Sequence, residues 1–401
     1  MPVPTTPAPP TTRPVVDLLD PTFHVGDPHP AYRWMRHHEP IYRDEANDLW
    51  CVTRMEHLRH VERSADTFVS SRGYRSVWVP SETSMISKDD PEHTRQRRLV
   101  SERFTPRAVG AREADVRALV TEAIATFASA GVVEVVDALA ARIPSILTCR
   151  LIGWEDEHWR DVRSWSERLM RIDTMTRDAT HATDGLAAVT EIAHLLDRSL
   201  DERAASPSDD LLTAWSNAAD AGCPMSVADI GSELGLLIPG GAETTRTTLA
   251  RALILLSERN DLWEQLAADP TRIPTAVEEL LRWITPLNNM FRTVSSATEI
   301  DDVAMAEGDR VALVYPSANR DEAVFDDPDS VDLGRDPNPH IAFGFGTHFC
   351  LGAHLARLTL RVALEELTQR FTHLRAVTEP VYEANVFVKA VARFEMGVEP
   401  R

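Results

Sequence analysis

Cysteines are few in this sequence, and they lie far apart. The 401 residues contain four of them, at positions 51, 149, 223 and 350, and no two form a Cys-x-x-Cys pair. Disulfide frameworks and zinc sites need cysteines at short, regular spacings. The spacing therefore argues against both, and it is typical of a protein of the reducing cytoplasm, where we expect this one to be located.

Long hydrophobic runs are also absent. The longest, such as 234–238 and 252–256, fall far short of the roughly twenty residues that a membrane span needs. The first residues, MPVPTTPAPPTTRP, contain no apolar segment of the kind found in signal peptides or membrane anchors. Their prolines and threonines predict a disordered lead-in over residues 1–14. We therefore expect no membrane anchor.

Positive charge is scarce as well. The 42 Lys and Arg residues are outnumbered by 62 Asp and Glu, which gives a formal net charge of −20. Nucleic acids and anionic membranes bind cationic surfaces, so the balance argues against both as general partners. No shift in composition divides the chain. Residues 15–401 are therefore predicted to form one domain, large enough to enclose a cofactor together with a substrate.

The sequence is rich in helical periodicity. Apolar residues recur at three- and four-residue steps in four stretches: 111–130, 189–205, 227–258 and 353–371. Strand-like stretches are shorter: 41–42, 49–52, 299–300 and 310–314. Residues 325–339 are rich in Pro, Asp and Gly and predict an irregular loop. The sequence thus predicts a mainly α fold with a small β portion.

One cysteine lies in an unusual segment. Residues 343–352 read Phe-Gly-Phe-Gly-Thr-His-Phe-Cys-Leu-Gly and directly precede the predicted helix that begins at Ala353. Backbone N–H groups and the dipole at a helix N-terminus favour a thiolate. The glycines would allow the backbone to turn tightly and to approach a flat ring closely. A lone cysteine is most often an ordinary buried residue, but the glycines, His348 and the helix favour Cys350 as a thiolate ligand.

This segment resembles the haem-binding signature Phe-Gly-x-Gly-x-His-x-Cys-x-Gly of the cytochrome P450 family, and it matches every fixed position. The resemblance extends from about Asp17 to Val398. It implies a single-domain cytochrome P450 fold, a haem b (iron protoporphyrin IX) cofactor and the use of O2, with Cys350 as the axial ligand of the iron. Electron donation from such a thiolate favours O–O cleavage.

The resemblance also implies which residues contact the haem. His93 and Arg97 match a family helix that meets the two propionates, and Arg292 and His340 correspond to two further propionate contacts. Buried carboxylates need cationic or hydrogen-bonding partners of this kind. The remaining residues expected at the haem are Phe343, Gly344, Gly352 and Gly240.

A second resemblance concerns structure rather than chemistry. Glu279 and Arg282 resemble the Glu-x-x-Arg pair of the family, and their three-residue spacing places them on one face of a helix. Together with Arg335, the resemblance implies a buried charged network that braces the cysteine loop. Without the cysteine loop, a surface ion pair would be the default interpretation.

The predicted helix 227–258 contains a segment with low helix propensity. Two adjacent glycines, Gly240 and Gly241, cost about 1 kcal/mol each relative to alanine, and Pro239 costs roughly 3 kcal/mol more. Close approach to the haem and an opening of the helix at Pro239 would offset these terms. The segment resembles the acid–alcohol motif of the family, which implies that Glu243 and Thr244 deliver protons during oxygen activation. Alternatively, the threonine hydroxyls bond only to helix carbonyls.

Three functions compete at this point: a monooxygenase, a non-enzymatic haem sensor or carrier, and a peroxide-driven peroxygenase. A sensor needs no proton relay, and known peroxygenase relatives usually replace the acid–alcohol pair, so Glu243 and Thr244 favour the monooxygenase. No flavin or nicotinamide domain fits in the chain, so electrons are expected from NAD(P)H through a ferredoxin reductase and a ferredoxin. Candidates for a local positive docking patch on the cysteine side are Arg95, Arg98, His348 and Arg357.

The substrate pocket is predicted by position in the family. The expected lining residues are Tyr74, Trp78, Asn288, Asn289, Met290, Val386 and Phe387, with the neighbouring residues Val77, Val79, Leu169, Met170, Leu287, Phe291 and Val388. This set is largely apolar and favours a bulky lipophilic molecule. Residues 31–36, 240–246 and 342–352 look like those of actinobacterial hydroxylases of sterol side chains and branched lipids. The loop 72–83 does not match that branch, so oxidation of a polyketide or peptide natural product is the alternative.

Overall fold

The computed structural model describes residues 12–401. Its α-helices are, in chain order, α1 (Pro21–Val25), α2 (His29–His38), α3 (Met55–Arg63), α4 (Glu92–Arg98), α5 (Pro106–Gly110), α6 (Glu113–Ala125), α7 (Arg142–Ile152), α8 (Trp159–Met170), α9 (Thr180–Ala205), α10 (Leu211–Ser216), α11 (Val227–Glu258), α12 (Asn260–Ala268), α13 (Ile273–Ile284), α14 (Tyr315–Ala318) and α15 (Ala353–Arg370). Short 3₁₀ turns include Met85–Ser87, Ile172–Thr174 and Gly346–His348. About 52% of the chain is helical and 12% lies in strands, which confirms the predicted mainly α class.

The strands form four small sheets. They are β1 (Ile41–Asp44), β2 (Leu49–Val52), β3 (Phe68–Val69), β4 (Val132–Glu134), β5 (Met290–Val294), β6 (Thr298–Ile300), β7 (Val303–Met305), β8 (Arg310–Leu313), β9 (Phe371–Ala376), β10 (Val381–Tyr382), β11 (Val391–Arg393) and β12 (Glu395–Pro400). The largest sheet has the order β1-β2-β8-β5-β3, with β2 and β8 parallel and the other neighbours antiparallel. A second sheet, β4-β12-β9, is antiparallel, and β6-β7 and β10-β11 are hairpins.

The predicted elements agree with the structure to different degrees. Helix α11 and strand β2 have the predicted bounds, and 325–339 is irregular as expected. Helix α6 is shorter at both ends than 111–130, and α15 ends one residue early because β9 begins at Phe371. Helix α9 begins nine residues before the predicted start at Val189. Its first two turns carry mainly polar and small residues, which gave no apolar period to detect.

The long helix α11 begins and continues for local reasons. Ser226 caps it through a capping box, in which its hydroxyl accepts from the backbone N–H of Asp229 at 3.1 Å and the Asp229 carboxylate accepts from the N–H of Ser226 at 2.9 Å. The helix runs without interruption through Pro239, so the predicted opening does not end it. Its apolar face packs on α7, α8 and α13 in the main hydrophobic cluster. The glycine segment is thereby held rigidly in the centre of the molecule.

The first described residues overlap the end of the predicted N-terminal lead-in. The predicted lead-in, residues 1–14, falls mostly on residues 1–11, which lie outside the described residues. At its end, Arg13 Nε donates to Glu39 at 3.0 Å, and the Tyr42 hydroxyl donates to the Pro14 carbonyl at 2.7 Å.

No helix within residues 12–401 is both long and apolar enough to span a membrane.

Candidate active site

A cavity of about 250 Å³ lies in the centre of the described structure, between α11, α15, α4, α7 and the start of β5. Its walls are mostly apolar. The residues that line it and bear on the chemistry are Glu62, His93, Arg97, Gly240, Thr244, Arg292, Tyr315, Phe343, Gly344, His348, Cys350 and Gly352. The structure therefore brings together, from four separate segments, all the residues expected at the haem except His340, and Thr244 with them.

The cysteine loop forms one wall of the cavity. The Cys350 N–H donates to the Phe343 carbonyl at 2.9 Å, which closes the loop, and α15 begins three residues later at Ala353. Gly346 has φ +70°, and a Cβ there would lie 2.4 Å from the Glu62 carbonyl oxygen. Only glycine fits this turn without strain. The loop conformation thus presents the Cys350 side chain to the cavity.

The pKa of the Cys350 thiol depends on its burial and on the neighbouring donors and cations. Burial raises the pKa of Cys350, while the Gly352 N–H, Arg97 and Arg357 favour the thiolate. A metal ion on the sulfur removes the proton outright. The site is therefore arranged for a thiolate that forms when a metal binds, and the three favourable groups then stabilise it.

Cationic and imidazole side chains line the part of the cavity next to this loop. Arg97 donates to the Phe349 carbonyl at 2.6 Å, and Arg292 donates to the Phe291 carbonyl at 2.7 Å. Among residues 12–401 neither arginine forms an ion pair with a carboxylate. The Nε2 of the buried His93 also has no hydrogen-bond partner within that range, while its Nδ1 lies 3.5 Å from Asp90 Oδ1. Two unpaired arginines and an imidazole with a free nitrogen fit a ligand with two carboxylates, as a haem has in its propionates.

His340, which was predicted to contact a propionate, does not line the cavity. Its Nε2 lies 3.1 Å from Glu278 Oε2, and Arg357 binds the same carboxylate through two bonds of 2.7 and 2.8 Å. Although burial opposes it, these bonds hold the pKa of Glu278 at about 2. His340 is therefore committed to a buried ion-pair cluster and does not line the cavity.

His348, which was not among the predicted haem contacts, lines the cavity. Its ring lies 4.1 Å from the His93 ring, and its Nε2 lies 3.2 Å from the Ser70 hydroxyl. Burial, together with Arg292, His93 and Arg97, lowers the pKa of His348 to about 2. The histidine is therefore neutral and lines the cavity rather than the protein surface. The sequence signal was available, since His348 is the histidine of the signature itself.

Helix α11 supplies a second wall. Gly240, Gly241, Thr244 and Thr245 line the cavity, and a Cβ added at Gly240 would meet no atom within 4 Å. The Thr244 hydroxyl donates to the Gly240 carbonyl at 2.9 Å, as in the alternative interpretation of the motif. Its oxygen can still accept a hydrogen bond. To donate into the cavity, the hydroxyl must exchange the Gly240 carbonyl for another acceptor.

Glu243 lies on the other side of the same helix. It is buried, and its Oε2 accepts from Arg246 at 2.9 Å, while Oε1 has no partner among the described residues. Arg246 also donates to Glu167 at 2.6 Å, and Glu167 is about one-fifth exposed. Burial raises the pKa of Glu243, and Arg246 acts against this shift. The carboxyl is thus connected to the surface by a short charged chain, although it does not line the cavity.

The predicted Glu-x-x-Arg residues form one buried network. Arg282 binds Glu279 through two bonds of 2.8 Å, and Arg335 Nε donates to the same carboxylate at 3.1 Å. Arg282 also donates to the carbonyls of Asn319 and Pro328 at 2.9 Å. The network therefore ties α13 to the irregular segment 319–338, which leads into the cysteine loop. It lies away from the cavity.

Most of the predicted pocket residues lie behind the cavity wall. Only Met290 of the seven lines the cavity, together with its neighbour Leu287. Asn288 and Asn289 donate to the carbonyls of residues 385 and 386, which secures the turn that contains Val386 and Phe387. The amide groups thus satisfy the backbone of a second layer, and this layer does not reach the cavity.

The loop residues of the predicted pocket also have other roles. The Tyr74 hydroxyl donates to Glu82 at 2.8 Å, and Tyr74 is buried against the five-stranded sheet. Trp78 is 52% exposed and lies on the outer surface of the loop. Position in the family could not predict these orientations, because the loop 72–83 departs from the related branch.

Residues that the sequence analysis did not name form much of the apolar wall: Met85, Ile86, Leu147, Leu151, Leu236, Leu237 and Pro286. A signal existed for two of them. Leu236 and Leu237 precede Gly240 and Gly241 by one helical turn, so they share the face that carries Thr244 and Thr248. Glu62 was also missed, because in a charge-rich helix it looks like a solvated residue.

Of the four candidates for a positive docking patch, two lie on the surface. Arg98 is exposed, and Arg95 is exposed and paired with Glu92 at 2.6 Å. His348 lines the cavity, and Arg357 is bound to Glu278. Near the cysteine loop, Arg63 lies 4.7 Å above the Phe345 ring.

Comparisons with known proteins agree with this geometry. The Cytochrome P450 family model matches residues 169–395. A steroid C26-monooxygenase of Mycobacterium tuberculosis is 35% identical over 393 residues, which cover 97% of this chain and 96% of the relative. The structure of Mycobacterium marinum cytochrome P450 CYP268A2 in complex with pseudoionone has a TM-score of 0.88 at 30% identity, covering 97% and 100% of the two chains. A mutant of P450 EryK in complex with erythromycin B has a TM-score of 0.84 at 30% identity, covering 92% and 95%.

The fold and the cysteine-lined cavity are those of a haem-dependent oxidoreductase. The chain belongs to the cytochrome P450 family and is a P450 monooxygenase, an enzyme that uses haem and O2 with electrons supplied from outside. The haem-binding sensor and carrier interpretation is thereby set aside.

Proposed function

We propose that this enzyme inserts one oxygen atom from O2 into a bulky lipophilic substrate, a sterol side chain or a branched lipid, with Cys350 as the axial ligand of the haem iron. The observation that carries the proposal is the Cys350 thiol in the wall of a largely apolar cavity that it shares with Thr244 and two unpaired arginines. When bound, the haem supplies the oxygen-activating and electron-accepting chemistry. The protein residues bind it, orient it and manage protons.

The residues divide into three roles. Cys350 holds the iron, and Arg97, Arg292, His93 and His348 bind the propionate side. Phe343 packs at the haem, with Gly240, Gly344 and Gly352 leaving space for the ring where larger side chains would intrude. Arg357 lies 4.5 Å above the Phe343 ring and holds that side chain in place.

Glu243 and Thr244 are assigned to proton delivery. The free Oε1 of Glu243 can hold a proton, and the chain through Arg246 and Glu167 connects this carboxyl to solvent. Thr244 presents a hydroxyl in the cavity wall, where it can donate a proton after releasing the Gly240 carbonyl. Such a carboxyl and hydroxyl pair is suited to general acid catalysis.

The visible absorption spectrum tests the assignment of Cys350 as the ligand of the haem iron. The reduced, CO-bound protein is expected to show the red-shifted Soret band of thiolate-ligated haem, and Cys350→Ser or Cys350→His should abolish it, because neither side chain supplies a thiolate. Purified wild-type protein that binds no haem would refute the proposal.

The apolar wall favours the lipophilic substrate. Leu236, Leu237, Met85 and Leu287 offer hydrocarbon surface, and Thr244 and Thr245 are hydroxyl groups on the adjacent helix. The steroid C26-monooxygenase similarity supports a sterol or branched lipid. The likeness to P450 EryK supports the alternative, oxidation of a polyketide or peptide natural product.

Titration separates the two substrate classes. A cholestenone-type sterol is expected to shift the haem from low to high spin with a Kd in the micromolar range, because filling the cavity displaces water from the haem. If no sterol or branched lipid shifts the spectrum while a macrocycle or peptide does, the alternative replaces the sterol proposal.

Electrons are proposed to come from NAD(P)H through a ferredoxin reductase and a ferredoxin. Phe349 on the cysteine loop is exposed, Arg97 donates to its carbonyl, and the exposed Arg63 lies 4.7 Å above the Phe345 ring of the same loop. This surface offers an acidic ferredoxin complementary charge close to Cys350, in spite of the net charge of −20.

A further inference from the structure

A buried glutamate at the cavity has one carboxylate oxygen without a partner. Glu62 ends the buried face of α3 and is 5% exposed, yet it lines the same cavity as Cys350. Its Oε1 accepts from the Tyr315 hydroxyl at 2.8 Å, and the Phe345 N–H also bonds to the carboxyl. Its Oε2 is buried and has no hydrogen-bond partner among residues 12–401. Buried polar atoms are rarely left in this state, so a ligand is expected to satisfy it.

Glu62 shares the cavity with the residues that are proposed to bind the haem propionates. Burial raises the pKa of Glu62 to about 7, and Arg292, the Tyr315 hydroxyl and the Phe345 N–H only partly counter this shift. The imidazoles of His93 and His348 have lowered pKa values and are neutral near pH 7. The carboxyl can therefore hold a proton at neutral pH, in contrast to a solvated glutamate.

We propose that Glu62 is a further haem-binding residue, which carries a proton and donates a hydrogen bond to a haem propionate. The proposal rests on the proposed haem-thiolate function. Two propionates bring two negative charges, and Arg97 and Arg292 supply two positive charges. An ionised Glu62 would add a third, uncompensated carboxylate beside them, whereas the neutral carboxyl has an O–H to donate through its free oxygen.

A purely structural role does not account for both oxygens. The Tyr315 hydroxyl would brace Glu62 through Oε1, and Oε2 would remain without a hydrogen-bond partner among residues 12–401. The matched comparison in this chain is Glu233 on α11. It is also buried, its pKa is also raised to about 7, its Oε1 accepts from the Met85 N–H at 2.9 Å and its Oε2 also has no hydrogen-bond partner among residues 12–401, but it does not line the cavity.

The test measures haem loss from the purified holoenzyme to excess apomyoglobin at pH 6 and pH 9. In the wild type, Glu62 is protonated at pH 6 and donates; by pH 9 it has lost the proton and repels the propionate, so haem loss accelerates. Glu62→Gln keeps an N–H donor but cannot titrate, and it should lose haem at nearly the same rate at both pH values. Glu62→Leu should lose haem about tenfold faster than the wild type at pH 6, which corresponds to one hydrogen bond to a charged group.

The pKa values of the other groups that face Glu62 are shifted away from the range between pH 6 and pH 9. Tyr315 has a pKa well above 10 and stays protonated, burial lowers the pKa of His93 and brings that of His348 to about 2, and arginine side chains do not lose their charge in proteins. Glu233→Gln removes the comparison acid and should keep the wild-type acceleration. Reduced-minus-oxidised infrared spectra should contain a protonated-carboxyl C=O band that Glu62→Gln removes and Glu233→Gln retains.

Two results overturn the proposal. Haem loss at the wild-type rate and pH dependence in both Glu62 variants would show that no propionate depends on this residue. Loss in Glu62→Gln as fast as in Glu62→Leu would show a structural role through Tyr315 instead. In both cases the variants would retain the CO-bound thiolate band, whereas wild-type protein without that band would refute the proposed function itself.

Discussion

At the scale of single residues, Glu243 and Thr244 are adjacent in sequence but lie in different environments. Thr244 lines the cavity, and Glu243 lies within a charged cluster that includes Arg246 and Glu167. Burial raises the pKa of Glu243, which favours the protonated form, while Arg246 counters this shift. A one-residue step thus separates a carboxyl within a buried charged cluster from a hydroxyl in the cavity wall.

Two substitutions test this division. Thr244→Ala should keep haem and substrate binding but divert reducing equivalents to hydrogen peroxide, because protons no longer arrive in an ordered way. Glu243→Gln should slow turnover by ~10²-fold, the low end of general-acid contributions. Product formation, NAD(P)H consumption and hydrogen peroxide are measured together.

Thr245→Ala is the control for these variants. Thr245 also lines the cavity but lies outside the predicted acid–alcohol pair, so its effect should be milder. Tight coupling and normal rates in both Thr244→Ala and Glu243→Gln would contradict the relay.

At the scale of elements, helix α13 organises the segment before the cysteine loop. One carboxylate, that of Glu279, receives bonds from Arg282, Arg335, Asn338 at 3.0 Å and the Asp332 N–H at 2.9 Å. Both side chains of the Glu279–Arg282 pair are fully buried. The irregular segment therefore has a fixed conformation although it contains no regular hydrogen-bond ladder.

Removing one member of this network should be severe. Glu279→Ala leaves Arg282 buried without its counter-charge, which should lower the free energy of unfolding by about 3–5 kcal/mol and yield unfolded or haem-free protein. Glu92→Ala is the matched control, because Glu92 and Arg95 also form an i,i+3 pair but are more than half exposed. Its expected effect is about 0–1 kcal/mol. Soluble holo-protein from Glu279→Ala with normal thermal stability would contradict the structural role.

At the scale of the whole molecule, the buried ion pair of Arg75 and Asp173 joins distant parts of the chain. Arg75 Nε donates to Asp173 at 2.6 Å, and Asp173 also accepts from the N–H and hydroxyl of Ser76. The Arg75 guanidinium lies 4.5 Å above the Phe387 ring and donates to the Leu169 carbonyl at 3.0 Å. The loop 70–83, the end of α8 and the C-terminal turn are thereby held together.

Loss of this pair should loosen the loop. Asp173→Asn leaves Arg75 buried without a counter-charge, so we expect a loss of about 3–5 kcal/mol in the free energy of unfolding and faster hydrogen exchange in residues 70–83. Arg72→Ala, which breaks the exposed pair with Glu307 in the same loop, should change both by little. Unchanged exchange in Asp173→Asn would show that other contacts hold the loop.

Signals confined to one stretch of chain predicted well. The bounds of α11 follow from an apolar period and a capping Ser226, and the cysteine loop follows from glycines at fixed spacing before a helix. The Glu279–Arg282 pair follows from helical spacing. Predictions that depended on side-chain orientation within loops were less accurate. Trp78, for example, was predicted to line the pocket and is exposed on the surface. No local period indicates which side chain of an irregular loop points inward.

By itself, the sequence determined the fold class, the P450 family and the positions of Cys350, Glu243 and Thr244, since each depends on neighbours within a few residues. Only the tertiary structure decided that His348 rather than His340 lines the cavity, because the decision depends on Glu278 in another helix. It also decided that Asn288 and Asn289 bind backbone behind the wall and that Glu62 lies at the cavity. These outcomes depend on contacts between segments far apart in the chain, which burial and charge pairing select only when the whole molecule folds.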